Sequence, residues 1–101
     1  MRNMAYRIVY KAYAERDMWE IAEYLSEHSI PAMQKFMREV RERIERLKDM
    51  PLMCPKIEPA LDYRKMVVGK YVVVYIVNER AKQILILRVV HGKRNYHNEF
   101  C

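Results

Sequence analysis

The chain has 101 residues, 51% of them hydrophobic and 32% charged, which supplies one core and a soluble surface and leaves little room for a second domain. Two glycines and four prolines exclude a low-complexity chain, and no run of about 18 apolar residues exists to cross a bilayer. The formal net charge of +6 is lopsided: residues 1–61 carry 11 Lys and Arg against 10 Asp and Glu, whereas residues 62–101 carry 8 against 3. A basic second half points to an anionic partner, either nucleic acid or an acidic protein segment.

Tyr6-Arg7-Ile8-Val9-Tyr10 alternates and is rich in β-formers, so it is predicted as a strand. From Ala12 the period changes. Ala14, Met18, Ile21, Ala22 and Leu25 form the apolar stripe of a helix, with Glu15, Glu20, Glu23 and Glu27 on its other side. Trp19 and Tyr24 lie off this stripe and read as packing residues. Ser26, Ser29 and Pro31 interrupt the helix, and Pro31 suits the first turn of the next one, where its missing N–H has no helical partner. Met33, Phe36, Met37, Val40, Ile44 and Leu47 then recur at helical spacing. The charged face between them offers four i,i+4 pairs, Arg38–Glu42, Glu39–Arg43, Arg41–Glu45 and Glu42–Arg46, each adding ~0.3 kcal/mol. Two helices with so short a link make an αα-hairpin. The eight methionines fill core and helix faces, and a Met-rich helix surface can also accept a partner helix.

Residues 49–61 hold Pro51, Pro55 and Pro59, which rule out a helix and predict an ordered surface loop. Residues 63–68 read as a strand and Gly69-Lys70 as a two-residue turn. Residues 71–77 are apolar throughout, as in a central strand covered on both faces, and residues 84–90 form another interior strand. The expected fold is therefore α+β in the order β-α-α-β-β-β, one domain over residues 1–101, with a helix hairpin on one face of a mainly antiparallel sheet.

Cys54 and Cys101 match no metal-ligand spacing and read as reduced thiols of a cytosolic chain. The N-terminus lacks the apolar run of a signal peptide. No phosphate-binding glycine loop, Ser/His/Asp set or metal cluster is present, so neither a cofactor nor a metal is expected.

The one constellation suited to chemistry closes the chain. Arg88, His91, Lys93, Arg94, Tyr96 and His97 fall within ten residues, and Arg64 and Lys65 open the β region. If the strands share a sheet, these cations can converge. Arginine grips phosphate bidentately, lysine adds a point charge, and His or Tyr can act as general acid or base on a ribose hydroxyl. The same residues serve equally to grip an acidic peptide. The plain alternatives are that Gly92-Lys93-Arg94 is a solvated turn, that His91 caps the strand, and that His97 is idle. Arg88 interrupts an apolar strand and either points to an open sheet face or lines a groove.

Several runs resemble the RelE/ParE toxin superfamily, closer to its ParE branch. They are Tyr6-Arg7-Ile8-Val9-Tyr10, Ala14-Glu15-Arg16-Asp17-Met18, residues 21–28, residues 63–75 and the closing Ile86-Leu87-Arg88-Val89-Val90-His91-Gly92-Lys93-Arg94-Asn95-Tyr96. The resemblance spans roughly residues 5–97. It implies a cytoplasmic toxin of a type II toxin–antitoxin system, held by an antitoxin whose flexible segment wraps its helices and sheet. It also implies operator DNA binding only through that antitoxin, and no membrane. One branch of the superfamily cleaves mRNA in the ribosome and the other poisons DNA gyrase. For the first, Arg94 matches a catalytic arginine and Arg64 stands where a lysine is usual, with Arg88, His91 and Tyr96 as further catalytic candidates. That branch also carries an arginine after the tyrosine opening the central strand, where this chain has Val72, and its C-terminal tyrosine is not clearly matched. These departures favour a non-enzymatic gyrase inhibitor, with Arg64, Lys65, Arg88, Lys93 and Arg94 as partner-binding residues. The alternatives are a metal-independent, ribosome-dependent mRNA endonuclease and an inactive relative that only binds an antitoxin. Lys11-Ala12 departs from the ParE pattern, where Ser-Pro commonly opens the helix.

Overall fold

A computed structural model describes residues 6–93. The elements are β1 (Arg7–Tyr10), α1 (Ala12–His28), α2 (Ile30–Arg46), β2 (Arg64–Val68), β3 (Tyr71–Asn78) and β4 (Gln83–His91), in the expected order. The sheet runs β1-β4-β3-β2, with β1 parallel to β4 and the other pairs antiparallel. Both long apolar strands are thus interior, as their unbroken Val/Ile content predicts.

Ser29 joins the two helices. Its N–H donates to the Leu25 carbonyl, closing α1, and its Oγ accepts from the Ala32 N–H, opening α2. Pro31 sits in the first turn as expected. Ser26 does not interrupt α1: its hydroxyl turns back to the Glu23 carbonyl and the helix continues to His28. Lys11, at the N-cap of α1, makes no side-chain cap. None of the four expected i,i+4 ion pairs closes. Glu45 pairs instead with Lys48, and the Arg41 guanidinium lies 5.8 Å from the centre of the Tyr10 ring.

The main core lies between the hairpin and the sheet, where Ala14, Met18, Phe36, Val40 and Ile44 meet Met66, Val73, Tyr75, Ile84, Ile86 and Val89. The opposite face carries a smaller cluster, Val72, Val74 and Val90, packed with Ile57, Tyr63 and Leu87. The two sets alternate along β3, and a bulge shifts that alternation on β4. The β3–β4 register slips between Val74, opposite Arg88, and Tyr75, opposite Ile86. The extra residue lets Ile86 and Val89, three apart, both enter the helix-side core, and it sends Val90 to the other face.

The proline-rich connection does more than run over the surface. Lys56 bridges to Arg64, and the Lys65 N–H donates to the Pro55 carbonyl. The segment therefore covers the β2 edge, which would otherwise offer unpaired backbone groups. Gly69 has φ +60°, the value a tight hairpin of type II′ needs at its first position.

Candidate functional site

Arg88 belongs to neither surface that its position in the sequence suggests. Its guanidinium grips the Asp17 carboxylate of α1 in a fork, Nε to Oδ2 at 2.7 Å and Nη2 to Oδ1 at 3.1 Å. The Val89 N–H donates to the same Oδ2 at 2.9 Å, and the Tyr13 ring centre lies 5.9 Å from the guanidinium. Asp17 is buried, and the Arg88 side chain is only 19% exposed. Three donors on one buried carboxylate form a lock between helix and sheet, well shielded from solvent screening.

Arg64 is also occupied. Its Nη1 donates to the Cys54 carbonyl at 2.7 Å, and beside it the Tyr75 hydroxyl donates to the Pro51 carbonyl at 3.0 Å. Together they clamp the connection onto the sheet. Burial, reinforced by the Cys54 thiol, pushes the Tyr75 phenol far above its ordinary range, so it remains a donor. Lys65 shares a cross-strand row with Val74 and Arg88. His91, across from Tyr71 at the exposed end of β4, accepts the Lys93 N–H on its Nδ1 at 3.1 Å, closing the turn there. Arg94, Tyr96 and His97 lie outside the described residues. The sheet thus brings Lys65 and Arg88 into one row, gives Arg64 and Arg88 internal partners, and leaves His91 and Lys93 exposed at one strand end.

A further concavity lies elsewhere, along the α1–α2 hairpin. It is a groove of about 610 Å³ whose apolar walls include Tyr10, Met18, Trp19, Ala22, Met33 and Met37. Glu15 and Glu23 stand on the α1 side and Arg41 on the α2 side. Trp19 and Tyr24, which read as packing residues, are instead 75% and 58% exposed. Burial is also the main cause that raises the Tyr10 phenol, outweighing the opposing Arg41 charge. A Met-lined trough with charged rims suits the apolar face of an amphipathic helix. The Met content signalled this surface in the sequence, and the position of Trp19 off the apolar stripe of α1 was the signal for its exposure. No described group of His, Cys, Asp and Glu could hold a metal, and no described helix is long and apolar enough to cross a membrane.

Comparison with solved structures returns toxins of one fold. The ParDE system of P. aeruginosa aligns at TM-score 0.75 with 15% identity, covering 88% of this chain and 98% of that one. A double arginine-to-alanine mutant of the E. coli toxin RelE in the free state aligns at 0.66 with 13% identity, covering 96% and 94%. The RelBE2 toxin–antitoxin complex of Mycobacterium tuberculosis aligns at 0.62 with 18% identity, covering 87% and 99%. No curated protein sequence matches the chain. The family model for the ParE toxin of type II toxin–antitoxin systems matches residues 6–96, nearly the whole molecule, and the chain belongs to that toxin family.

Proposed function

We propose that this chain is a cytoplasmic growth inhibitor that acts on DNA gyrase as a binding protein rather than an enzyme, and that a cognate antitoxin neutralises it. The observation that carries the reading is the condition of the cationic positions. Val72, where the mRNA-cleaving branch carries an arginine, is buried in the second-face cluster. Arg64 and Arg88 spend their guanidinium groups on Cys54 and Asp17. A phosphate-stabilising site needs several charges free to meet developing charge, and this arrangement holds two of them inside the fold. The antitoxin docks an amphipathic helix in the α1–α2 groove, and its acidic residues meet the basic strands around Lys65 and Lys93, with Arg94 as a further candidate.

Purified chain is assayed for inhibition of gyrase supercoiling and for trapped cleaved DNA, alongside mRNA integrity on translating ribosomes. Inhibited supercoiling with intact message supports the proposal. Cut message, lost in Arg94→Ala, replaces it with the endonuclease reading. If induced expression without antitoxin halts neither DNA nor protein synthesis, the chain is an inactive antitoxin-binding relative.

A further inference from the structure

A second, shallower concavity of about 380 Å³ lies where the middle of α1 crosses the ends of β3 and β4. Its chemistry differs from the rest of this basic molecule. Asp17, Glu20 and Tyr24 fall on one stripe of α1, and Tyr71 and His91 face them from the sheet. The aromatic walls are held in place. Tyr71 packs edge-on between Phe36 (ring centres 4.8 Å apart) and His91 (5.6 Å), and Tyr24 is braced by the His28 ring at 4.7 Å. Burial, then the nearby Tyr24 phenol, keeps the Tyr71 hydroxyl protonated above the ordinary tyrosine range, so it can donate or accept.

The charges sort themselves. Asp17 is cancelled by Arg88 and the Val89 N–H. Glu20 is exposed and pairs with no described residue. The pocket therefore presents aromatic rings and one uncommitted carboxylate, on a chain whose formal charge is +6. A cation over aromatic faces beside a carboxylate gains from both. A planar guanidinium fits better than an ammonium, because it stacks on a ring while donating two parallel N–H bonds to a carboxylate, and it sheds water more readily.

We propose that the pocket formed by Glu20, Tyr24, Tyr71 and His91 is an anchor site for an arginine side chain of a protein partner. Charge complementarity selects the occupant: the carboxylate at the mouth repels a phosphate and attracts a guanidinium. The site shares no lining residue with the α1–α2 groove, so a partner segment crossing α1 can engage it without displacing a helix docked there. It goes beyond the gyrase reading and does not depend on which target the toxin acts on.

The test uses the full chain, isotope-labelled, with N-acetyl-arginine amide as probe and N-acetyl-lysine amide and guanosine monophosphate as comparators, followed by NMR. The expected result is saturable shifts at Tyr24, Tyr71 and His91 with the arginine probe, with at least fivefold weaker binding of the lysine probe. Glu20→Gln should weaken the arginine probe about tenfold or more while the remaining spectrum is unchanged, since Glu20 is exposed. Absence of saturation, equal response to lysine, or binding that survives Glu20→Gln overturns the proposal. Preferential binding of guanosine monophosphate overturns it in favour of a nucleobase slot. No growth or gyrase assay enters, so failure here is separate from failure of the toxin reading.

Discussion

Asp17→Ala tests the helix–sheet lock most directly. The substitution deletes the acceptor for three donors at once: Arg88 Nε, Arg88 Nη2 and the Val89 N–H. Breaking a buried ion pair by removing one partner costs about 3–5 kcal/mol, because the survivor is left charged and poorly solvated. Arg88 retains 19% side-chain exposure and can swing partly into water, which favours the low end of that range. The orphaned Val89 N–H, in a buried strand, adds about 1–3 kcal/mol. A loss of about 4–6 kcal/mol is therefore expected, a large part of the 5–15 kcal/mol typical of a domain. Arg88→Ala should cost less, about 2–4 kcal/mol, because Asp17 keeps the Val89 N–H. Urea unfolding of both single variants and the double variant gives the coupling energy. A coupling of about 2 kcal/mol or more is expected. Additive losses, or an Asp17→Ala loss below about 1 kcal/mol, would refute the reasoning and return Arg88 to the pool of available surface cations.

Arg64→Ala should free the connection, costing about 1.5–3 kcal/mol for a hydrogen bond from a charged donor and speeding amide exchange at Ile57 and Lys65 above the global rate. Tyr75 has its folded-state pKa raised above its unfolded value, so its contribution is fully present below about pH 10 and is lost as pH rises from there towards the folded value. Tyr75→Phe should lower stability by about 1 kcal/mol at pH 7, yet flatten the alkaline decline that wild type shows above about pH 10, read by denaturation across pH 8–11.5. Trp19→Ala should leave stability within about 0.5 kcal/mol, because the side chain is 75% exposed, while weakening antitoxin binding by about 2 kcal/mol or more in a titration. Gly69→Ala should cost about 1 kcal/mol through its positive φ alone, since a Cβ there meets nothing within 4 Å.

Periodicity carried most of the fold. The Met33-to-Leu47 stripe, the Pro31 start and the two unbroken apolar strands each obey a local rule, and the structure follows them. The lock did not yield to the same rules, because its halves lie 71 residues apart. A signal existed nonetheless: Asp17 sits at core spacing beside Ala14 and Met18 on α1, and Arg88 interrupts an apolar strand. Two buried charges of opposite sign in one small domain must find each other. The bulge was invisible for a different reason. An alternating pattern read straight through Ile84, Ile86, Arg88 and Val90 places all four on one face, and only pairing with β3 reveals the extra residue. The exposure of Trp19 and Tyr24 was missed because hydrophobicity predicts what is to be covered, not which molecule covers it.

The net charge of +6 is a sum over two regions of different sign. Helix α1 carries five acidic residues and one arginine, whereas residues 64–93 carry seven lysines and arginines and one glutamate. A partner approaching α1 therefore meets a locally acidic, aromatic surface, and one approaching the strand ends meets a basic one. Within the strands the supply is smaller than the count suggests, since Arg88 neutralises Asp17 and Arg64 holds a backbone carbonyl. A single polypeptide that wraps both regions has to change its own charge along its length, cationic where it crosses α1 and anionic where it reaches β2 and β4. A uniformly acidic ligand such as duplex DNA complements only the basic one.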